Sequence, residues 1–305
     1  MSKNNISSVA PIDVVSLVSM AALSMGFNLM GRIVNNKLMV LMSTPIPCVV
    51  FMLLSRVWTF HEPVRYQGNT YTNLVGVGLL ISSLSDVLMS LEVEEYNDTL
   101  FVVAVCMFCL VQILYGSAFT FCAPYVHEDG TEQKGIIELR LSRCIPFVIY
   151  CIMSWTVVMV GRSLDPKSTL VLVYITLQCI TTWRASARVG TIPGNAIMQL
   201  FALTGMILFT LCDTMIALHI FAYPKTNTLV VIDMSVYWVG QLFVALSCNE
   251  HLNISEVVHY SAACCRYELQ QEKKFEYTPE LMSPYPGACP DSPMMYTTAS
   301  FKQIV

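Results

Sequence analysis

Eight long apolar runs constrain this chain more than any other feature of its sequence. A helix needs about 20 residues to cross the roughly 30 Å of hydrocarbon in a bilayer, and each run is close to that length. Only 12% of the 305 residues are charged, against roughly 25% in soluble domains. The pattern predicts an all-α integral membrane protein with eight transmembrane helices. These spans are at about 13–30, 38–55, 73–91, 99–122, 145–161, 168–187, 197–221 and 229–249.

The spans divide the chain into a short N-terminal segment at 1–12, a membrane domain at 13–250 and a polar tail at 256–305. The tail is rich in Pro, Ser, Tyr and Glu, which is typical of disorder. Eight spans place both termini on one side. Twelve Lys and Arg residues fall on that side and five on the other, so the positive-inside rule predicts cytosolic termini.

Charge and cysteine spacing argue against several other classes of protein. The net charge of −4 gives no reason to expect a nucleic-acid partner. Cys106 and Cys109 form a CxxC pattern, but within an apolar span such a pair is more typical of small packing residues than of a redox or zinc site. No other Cys or His cluster has metal-ligand spacing, so we predict neither a metal nor a cofactor.

Two intramembrane aspartates stand out against this apolar background. Asp86 lies in "SLSDVLMSL", residues 83–91, and Asp213 lies in the similar stretch "TLCDTMIAL", residues 210–218. Each falls in an odd-numbered span, late in its run, so the two carboxyl groups are expected at similar depth in the non-cytosolic half. This is the pattern of two parallel four-helix halves that form a weak internal repeat.

A charged aspartate at a helix centre costs roughly 2.5–3.5 kcal/mol on insertion scales. We therefore expect both side chains to face the bundle interior or a water-filled cavity. A purely structural alternative has each Asp satisfied by Ser83, by Thr210 or by the other Asp. Other polar side chains share helical faces that could line the same cavity: Gln112 with Tyr115, Tyr174 with Gln178 and Thr182, and Asp233 with Tyr237 and Gln241. Arg184, at the end of the sixth span, is expected to be an interfacial anchor.

An ordered set of motifs resembles the lysoplasmalogenase family, also called the YhhN or transmembrane-86 family. The resemblance covers roughly residues 35–250 and rests on five stretches. They are "VGVGLLISSLSDVLMSL" in the third span, "QILYGSAF" in the fourth, "TTWRA" in the sixth, "LFTLCDTMIALHIF" in the seventh and "VYWVGQLFVALS" in the eighth.

The resemblance implies a multi-span enzyme of the endoplasmic reticulum. Such enzymes cleave the vinyl ether bond of lysoplasmalogens, which releases a fatty aldehyde and glycerophosphocholine or glycerophosphoethanolamine. By the same resemblance, Asp86 and Asp213 match the two intramembrane aspartates of the family and are the expected catalytic residues. The expected substrate-binding residues are Tyr115, Tyr237, Gln241 and Gln112.

Gln112 departs from the family pattern, because many members carry His at this place. Glutamine cannot transfer a proton, so a catalytically altered, lipid-binding protein remains an alternative. Acid catalysis by two carboxyl groups fits vinyl ether hydrolysis, in which a proton adds to the outer alkene carbon and a nearby anion stabilises the resulting oxocarbenium ion; the two-carboxylate glycosidase site is an analogy. A proton-coupled transporter is a further alternative, since midmembrane aspartates also occur in carriers.

Overall fold

The computed structural model describes residues 11–61, 70–95, 98–120, 137–161, 166–190, 196–221 and 227–248. The regular elements in these ranges are all helical, which confirms the predicted all-α class. The predicted tail at 256–305 lies outside the described residues. The nine α-helices of the described ranges are α1 (Pro11–Ile33), α2 (Lys37–Ser43), α3 (Ile46–His61), α4 (Thr70–Glu95), α5 (Asp98–Thr120), α6 (Ile145–Gly161), α7 (Pro166–Arg188), α8 (Ala196–Phe221) and α9 (Asn227–Leu246).

The described residues contain seven segments that are long and apolar enough to cross a membrane, one fewer than the eight predicted. The chain is therefore a multi-pass membrane protein, and seven of the eight predicted spans are found among the described residues. The remaining predicted span corresponds to α1, which is 23 residues long and carries Asn28 and Arg32 near its C-terminal end. Its polar residues face the bundle, where α1 packs against α2, α3 and α9.

The second predicted span is broken at Thr44 and Pro45, between α2 and α3. Proline lacks the backbone N–H that a helix interior requires, so carbonyl groups before it lose their partners. A side chain from a neighbouring helix replaces one of them. Ser43 O, four residues before Pro47, accepts from Ser24 Oγ of α1 at 3.2 Å, and Ser83 adds a further donor to Pro45 O at 3.0 Å. Hydrogen bonds from side chains of neighbouring helices allow irregular backbone inside a membrane bundle.

Two glycines bring α8 and α9 into close contact. A Cβ atom at Gly205 would lie 2.6 Å from Gly240 O, and one at Gly240 would lie 2.9 Å from Gly205 O. Small residues allow helix backbones to approach in this way in membranes. The contact matters for the site because α8 carries Asp213 and α9 carries Tyr237.

Arginines bind carbonyl groups at the end of the bundle opposite to Asp86 and Asp213. Arg184 is only 4% exposed and donates to Thr120 Oγ1 at 3.1 Å and to Ile137 O at 2.9 Å. The prediction of an interfacial anchor was therefore wrong for Arg184. The side chain is held inside the protein because it satisfies the end of α5 and the segment that follows.

Candidate functional site

Asp86 and Asp213 line one cavity of about 840 Å³ in the half of the bundle that contains the α1–α2 turn. Helices α1, α2 and α4 to α9 all contribute to its wall. A volume of this size falls in the range of small-molecule sites. The prediction that the two aspartates face a common interior is consistent with this arrangement.

Asp86 is buried on α4 and receives two donors on the same carboxyl oxygen. The Tyr237 hydroxyl donates to Asp86 Oδ2 at 3.0 Å, and Cys48 Sγ donates to the same atom at 3.5 Å. The ring of Tyr237 is fixed by Phe209, whose ring centroid is 5.2 Å away at 63°. Oδ1 has no hydrogen-bond partner within the described residues and is left for a molecule in the cavity.

Asp213 has a separate partner on α7. The Tyr174 hydroxyl donates to Asp213 Oδ2 at 2.7 Å. Thr210, one turn before Asp213, instead accepts from Gln178 Nε2 at 3.0 Å and donates to Met206 O at 2.8 Å. The alternative in which Ser83, Thr210 or the other aspartate satisfies each carboxyl group is therefore not what the structure shows. Each aspartate has its own tyrosine.

The donors of the two aspartates follow the internal repeat. Cys48 precedes Asp86 by 38 residues and lies on the helix before the one that carries it. Tyr174 precedes Asp213 by 39 residues and is likewise on the preceding helix. The two donors therefore come from corresponding positions in the two halves. This correspondence supports the two-halves organisation that the similar aspartate motifs predict.

Three of the predicted substrate-binding residues do not line the cavity. Tyr115 and Gln241 are fully buried and bind each other, with the Tyr115 hydroxyl 2.8 Å from Gln241 Oε1. Gln241 Nε2 in turn donates to Ser82 Oγ at 3.4 Å. These residues form a polar layer below Tyr237, which alone among the four predicted residues reaches the cavity wall.

Gln112 is also buried away from the cavity. Its backbone carbonyl accepts from Thr181 Oγ1 at 2.9 Å, and its side chain lies beside Tyr174. Neither polar atom of its carboxamide makes a hydrogen bond within the described residues, but the group lies close enough to the Tyr174 hydroxyl to interact with it. An effect of Gln112 on Asp213 would therefore pass through Tyr174.

Two residues of the wall, Asp233 and Tyr174, were expected from the sequence to lie on faces that line the cavity, but were given no role in the site. Asp233 adds a third carboxyl group, and its place one turn before Tyr237 on a polar stripe was the available signal. Tyr174 was placed on a polar face, but its pairing with Asp213 was not foreseen. Cys48 carried no signal. Basic residues also border the cavity, namely Arg32, Lys37 and Lys167.

The opposite wall of the cavity is apolar and reaches the lipid-facing surface. Phe101 and Phe108 of α5 stand on one side, and Met153 and Val157 of α6 on the other. In the described part of the chain α5 and α6 do not contact each other, because α7 packs behind both. Met153 is 64% exposed and Val157 is 43% exposed, so the cavity opens sideways between these helices.

The cysteines of the CxxC pattern take no part in this cavity. Cys106 is exposed and Cys109 is half-buried on α5, and neither lines the wall. Within the described ranges, no group of three His, Cys, Asp or Glu side chains is arranged to hold a metal ion. The chemistry available in the cavity is that of carboxyl groups, phenols and basic side chains.

Comparisons with known proteins identify the family of the chain. Human lysoplasmalogenase TMEM86A is 28% identical over 185 residues, which cover 60% of this chain and 68% of that protein. No solved structure matches the chain. The family profile of the YhhN family matches residues 41–248, a range that includes both aspartates and their partners. On this match, the chain belongs to the YhhN family.

Proposed function

We propose that this protein is an ether hydrolase of the lysoplasmalogenase type. It would cleave the vinyl ether bond of alkenylglycerophosphocholine or alkenylglycerophosphoethanolamine into a fatty aldehyde and a glycerophosphodiester. Family membership and the similarity to a lysoplasmalogenase support the reaction class. The observation that carries the proposal is the placement of Asp86 and Asp213, each held by a tyrosine, on one cavity with an apolar wall.

The proposed reaction consumes one water molecule. One aspartic acid transfers its proton to the outer alkene carbon, which leaves an oxocarbenium ion at the carbon bonded to the ether oxygen. The other aspartate stabilises that cation and accepts a proton from the attacking water. As the hemiacetal that forms breaks its bond to the glycerol oxygen, the second aspartic acid gives that oxygen its proton and the first aspartate takes the hydroxyl proton, which yields aldehyde and alcohol and restores both carboxyl groups. A pair of carboxyl groups in low dielectric favours this division of roles, because both do not ionise readily together.

The tyrosines leave the reactive oxygens accessible. Tyr237 and Tyr174 both donate to Oδ2 atoms, so the Oδ1 atoms of Asp86 and Asp213 are the proposed sites of proton transfer. Tyr237 is also the proposed substrate contact, since it lines the cavity. Tyr115, Gln241 and Gln112 are proposed as positioning residues that act through the tyrosines.

The hydrocarbon chain of the substrate has a direct route to the site. A lysolipid in the bilayer would enter between α5 and α6, with its chain along Phe101, Phe108, Met153 and Val157. An apolar wall that opens to lipid suits a single-chain amphiphile better than a water-soluble substrate. We also propose the endoplasmic reticulum membrane as its location, with both termini in the cytosol, a topology that requires α1 to cross the bilayer as the eighth span.

Isosteric replacement of the aspartates tests the reaction. The full chain is purified in lipid nanodiscs, and aldehyde release from a defined alkenylglycerophosphocholine is measured for Asp86→Asn and Asp213→Asn. We expect a fall of about 10²- to 10⁴-fold in kcat for each, the range for loss of an acid or base. Glu138→Gln, at an exposed carboxylate outside the cavity, is the matched control and is expected to keep full activity.

A non-cleavable analogue separates catalysis from binding. Both Asn variants are expected to bind the saturated alkyl ether of the same lysolipid as the wild type does. Activity within threefold of wild type in both variants would overturn the acid mechanism. Binding of the analogue by wild type, with no aldehyde released from the vinyl ether, would instead establish a lipid-binding protein.

A further inference from the structure

The basic residues of the cavity are gathered at one edge. Arg32 lies in the last turn of α1, Lys37 begins α2 and Lys167 lies in the first turn of α7. All three line the wall that also holds the aspartates. Lys167 is already paired with Asp98, which leaves Arg32 as the more informative residue.

Arg32 is oriented by a buried asparagine. Its Nε donates to Asn28 Oδ1 at 2.8 Å, and Asn28 is completely buried. The Asn28 amide nitrogen is itself held by Ser43 Oγ at 3.1 Å and Thr44 Oγ1 at 2.8 Å, in the break between α2 and α3. These bonds fix the guanidinium at the wall of the cavity and use only one of its nitrogens.

The two terminal nitrogens of Arg32 have no hydrogen-bond partner in the part of the chain that the structure describes. Asp86 lies within electrostatic range, but no ion pair joins them among the described residues. A guanidinium with two parallel N–H groups matches the oxygens of a phosphate in a bidentate arrangement. In the cavity these two N–H groups lie near the Asp86 carboxyl group, which is proposed to act on the vinyl ether.

We propose that Arg32, held by Asn28, binds the phosphodiester of a lysophospholipid head group, and that Lys37 and Lys167 add favourable charge around it. This assignment rests on the proposed function, since it places the head group of that substrate. One glycerol unit separates the phosphate from the ether oxygen, so a phosphate at Arg32 positions the vinyl ether near Asp86. Specificity for phosphorylated lysolipids over neutral ones follows from this contact.

A substrate without phosphate isolates the contribution of Arg32. Wild type, Arg32→Gln and Arg32→Lys are compared in nanodiscs on alkenylglycerophosphocholine and on alkenylglycerol, which has the same vinyl ether but no phosphate. For Arg32→Gln we expect kcat/KM on the phospholipid to fall about 10- to 100-fold, the effect of losing charge-assisted hydrogen bonds. On alkenylglycerol it should change less than threefold. Arg32→Lys keeps the charge but loses the two parallel N–H groups, so its kcat/KM on the phospholipid should lie between those of wild type and Arg32→Gln.

The ratio of kcat/KM on the two substrates tests whether Arg32 acts only through Asp86. If Arg32 only adjusted the electrostatics of Asp86, the variant would lose the same factor on both substrates, and that result would overturn the proposal. Arg140→Gln, at a cation outside the cavity, is the control and should leave both rates unchanged. Activity on alkenylglycerol also reports that Arg32→Gln is folded.

Binding of non-cleavable lipids separates this proposal from the enzymatic one. Alkyl lysophosphocholine should bind wild type at least tenfold more tightly than alkylglycerol, and the preference should disappear in Arg32→Gln. That result in a protein that releases no aldehyde would contradict the proposed reaction and support the phosphate site. Aldehyde release without any preference for the phosphorylated lipid would support the reaction and overturn the phosphate site. Equal competition by free glycerophosphocholine and by alkyl lysophosphocholine would assign the site to soluble phosphodiesters and overturn the lipid assignment.

Discussion

The Tyr237 hydroxyl donates to Asp86 Oδ2 at 3.0 Å across 151 residues of sequence. This hydrogen bond links the last described helix to α4 and so connects the two halves of the repeat at the cavity. Tyr174 also donates a hydrogen bond to an aspartate, Asp213, but this contact lies within the second half. Two carboxyl groups with local motifs of the same kind are therefore held by phenols from different parts of the bundle.

Removing either phenolic oxygen should reduce turnover without unfolding the protein. We expect Tyr237→Phe and Tyr174→Phe each to lower kcat/KM for the vinyl ether lysolipid about 10- to 100-fold. A hydrogen bond to a charged group contributes roughly 1.5–3 kcal/mol, and the rings stay in place. Aldehyde release and thermal unfolding are measured together. Tyr260→Phe is the control, at a tyrosine outside the range that the family profile matches. Unchanged kinetics in both site variants would contradict the positioning of the aspartates by these tyrosines.

Gln112 offers a test of the position at which this chain departs from its relatives. Its buried carboxamide has no hydrogen-bond partner among the described residues, and an unpaired buried polar group costs about 1–3 kcal/mol. Gln112→Met, of similar length, removes the carboxamide beside the Tyr174 hydroxyl and should lower kcat/KM about tenfold, while Tm rises or stays unchanged. Activity within threefold of wild type would show that Gln112 does not act on Asp213 through Tyr174.

The contact between α8 and α9 should tolerate no added methyl group. Gly205→Ala places a Cβ atom 2.6 Å from Gly240 O, and overpacking of this kind costs about 1–3 kcal/mol. We expect a lower Tm and a loss of activity, because a wider spacing of α8 and α9 would displace Tyr237 from Asp86. Gly26→Ala on α1 is the control, since its Cβ atom would meet nothing within 4 Å and alanine favours the helix. Equal Tm values for the two variants would contradict the packing.

Narrowing the opening between α5 and α6 should hinder long chains. Met153→Trp enlarges a side chain that both lines the cavity and faces lipid. We expect kcat/KM to fall at least tenfold for a long-chain vinyl ether lysolipid and less for a short-chain one, because only the longer chain must extend through the gap. Ile149→Trp, one turn away on α6 and outside the cavity wall, is the control. Equal losses for both chain lengths would argue against this route.

The aspartate pair was predictable because its signal is local. The stretches around Asp86 and Asp213 are similar, and a carboxyl group in an apolar span is costly wherever the rest of the chain lies. Tyr115 and Gln241 show the limit of such reasoning. They lie on the polar faces of α5 and α9, as predicted, but these faces bind each other instead of lining the cavity. The direction in which each polar face points depends on the rotation of its helix about the helix axis. The periodicity of the sequence alone does not determine that rotation.

Local sequence determined the helical class, the membrane-spanning runs and the two carboxyl groups, because hydrophobic length and the cost of buried charge are properties of short segments. Tertiary packing decided which group holds each aspartate, since Cys48, Tyr174 and Tyr237 reach them from other helices. It also decided that α1, with Asn28 and Arg32, contributes to the cavity. These contacts depend on how helices that are distant in sequence are rotated and how closely they approach. Only the packing of the whole bundle determines the rotation and the distance.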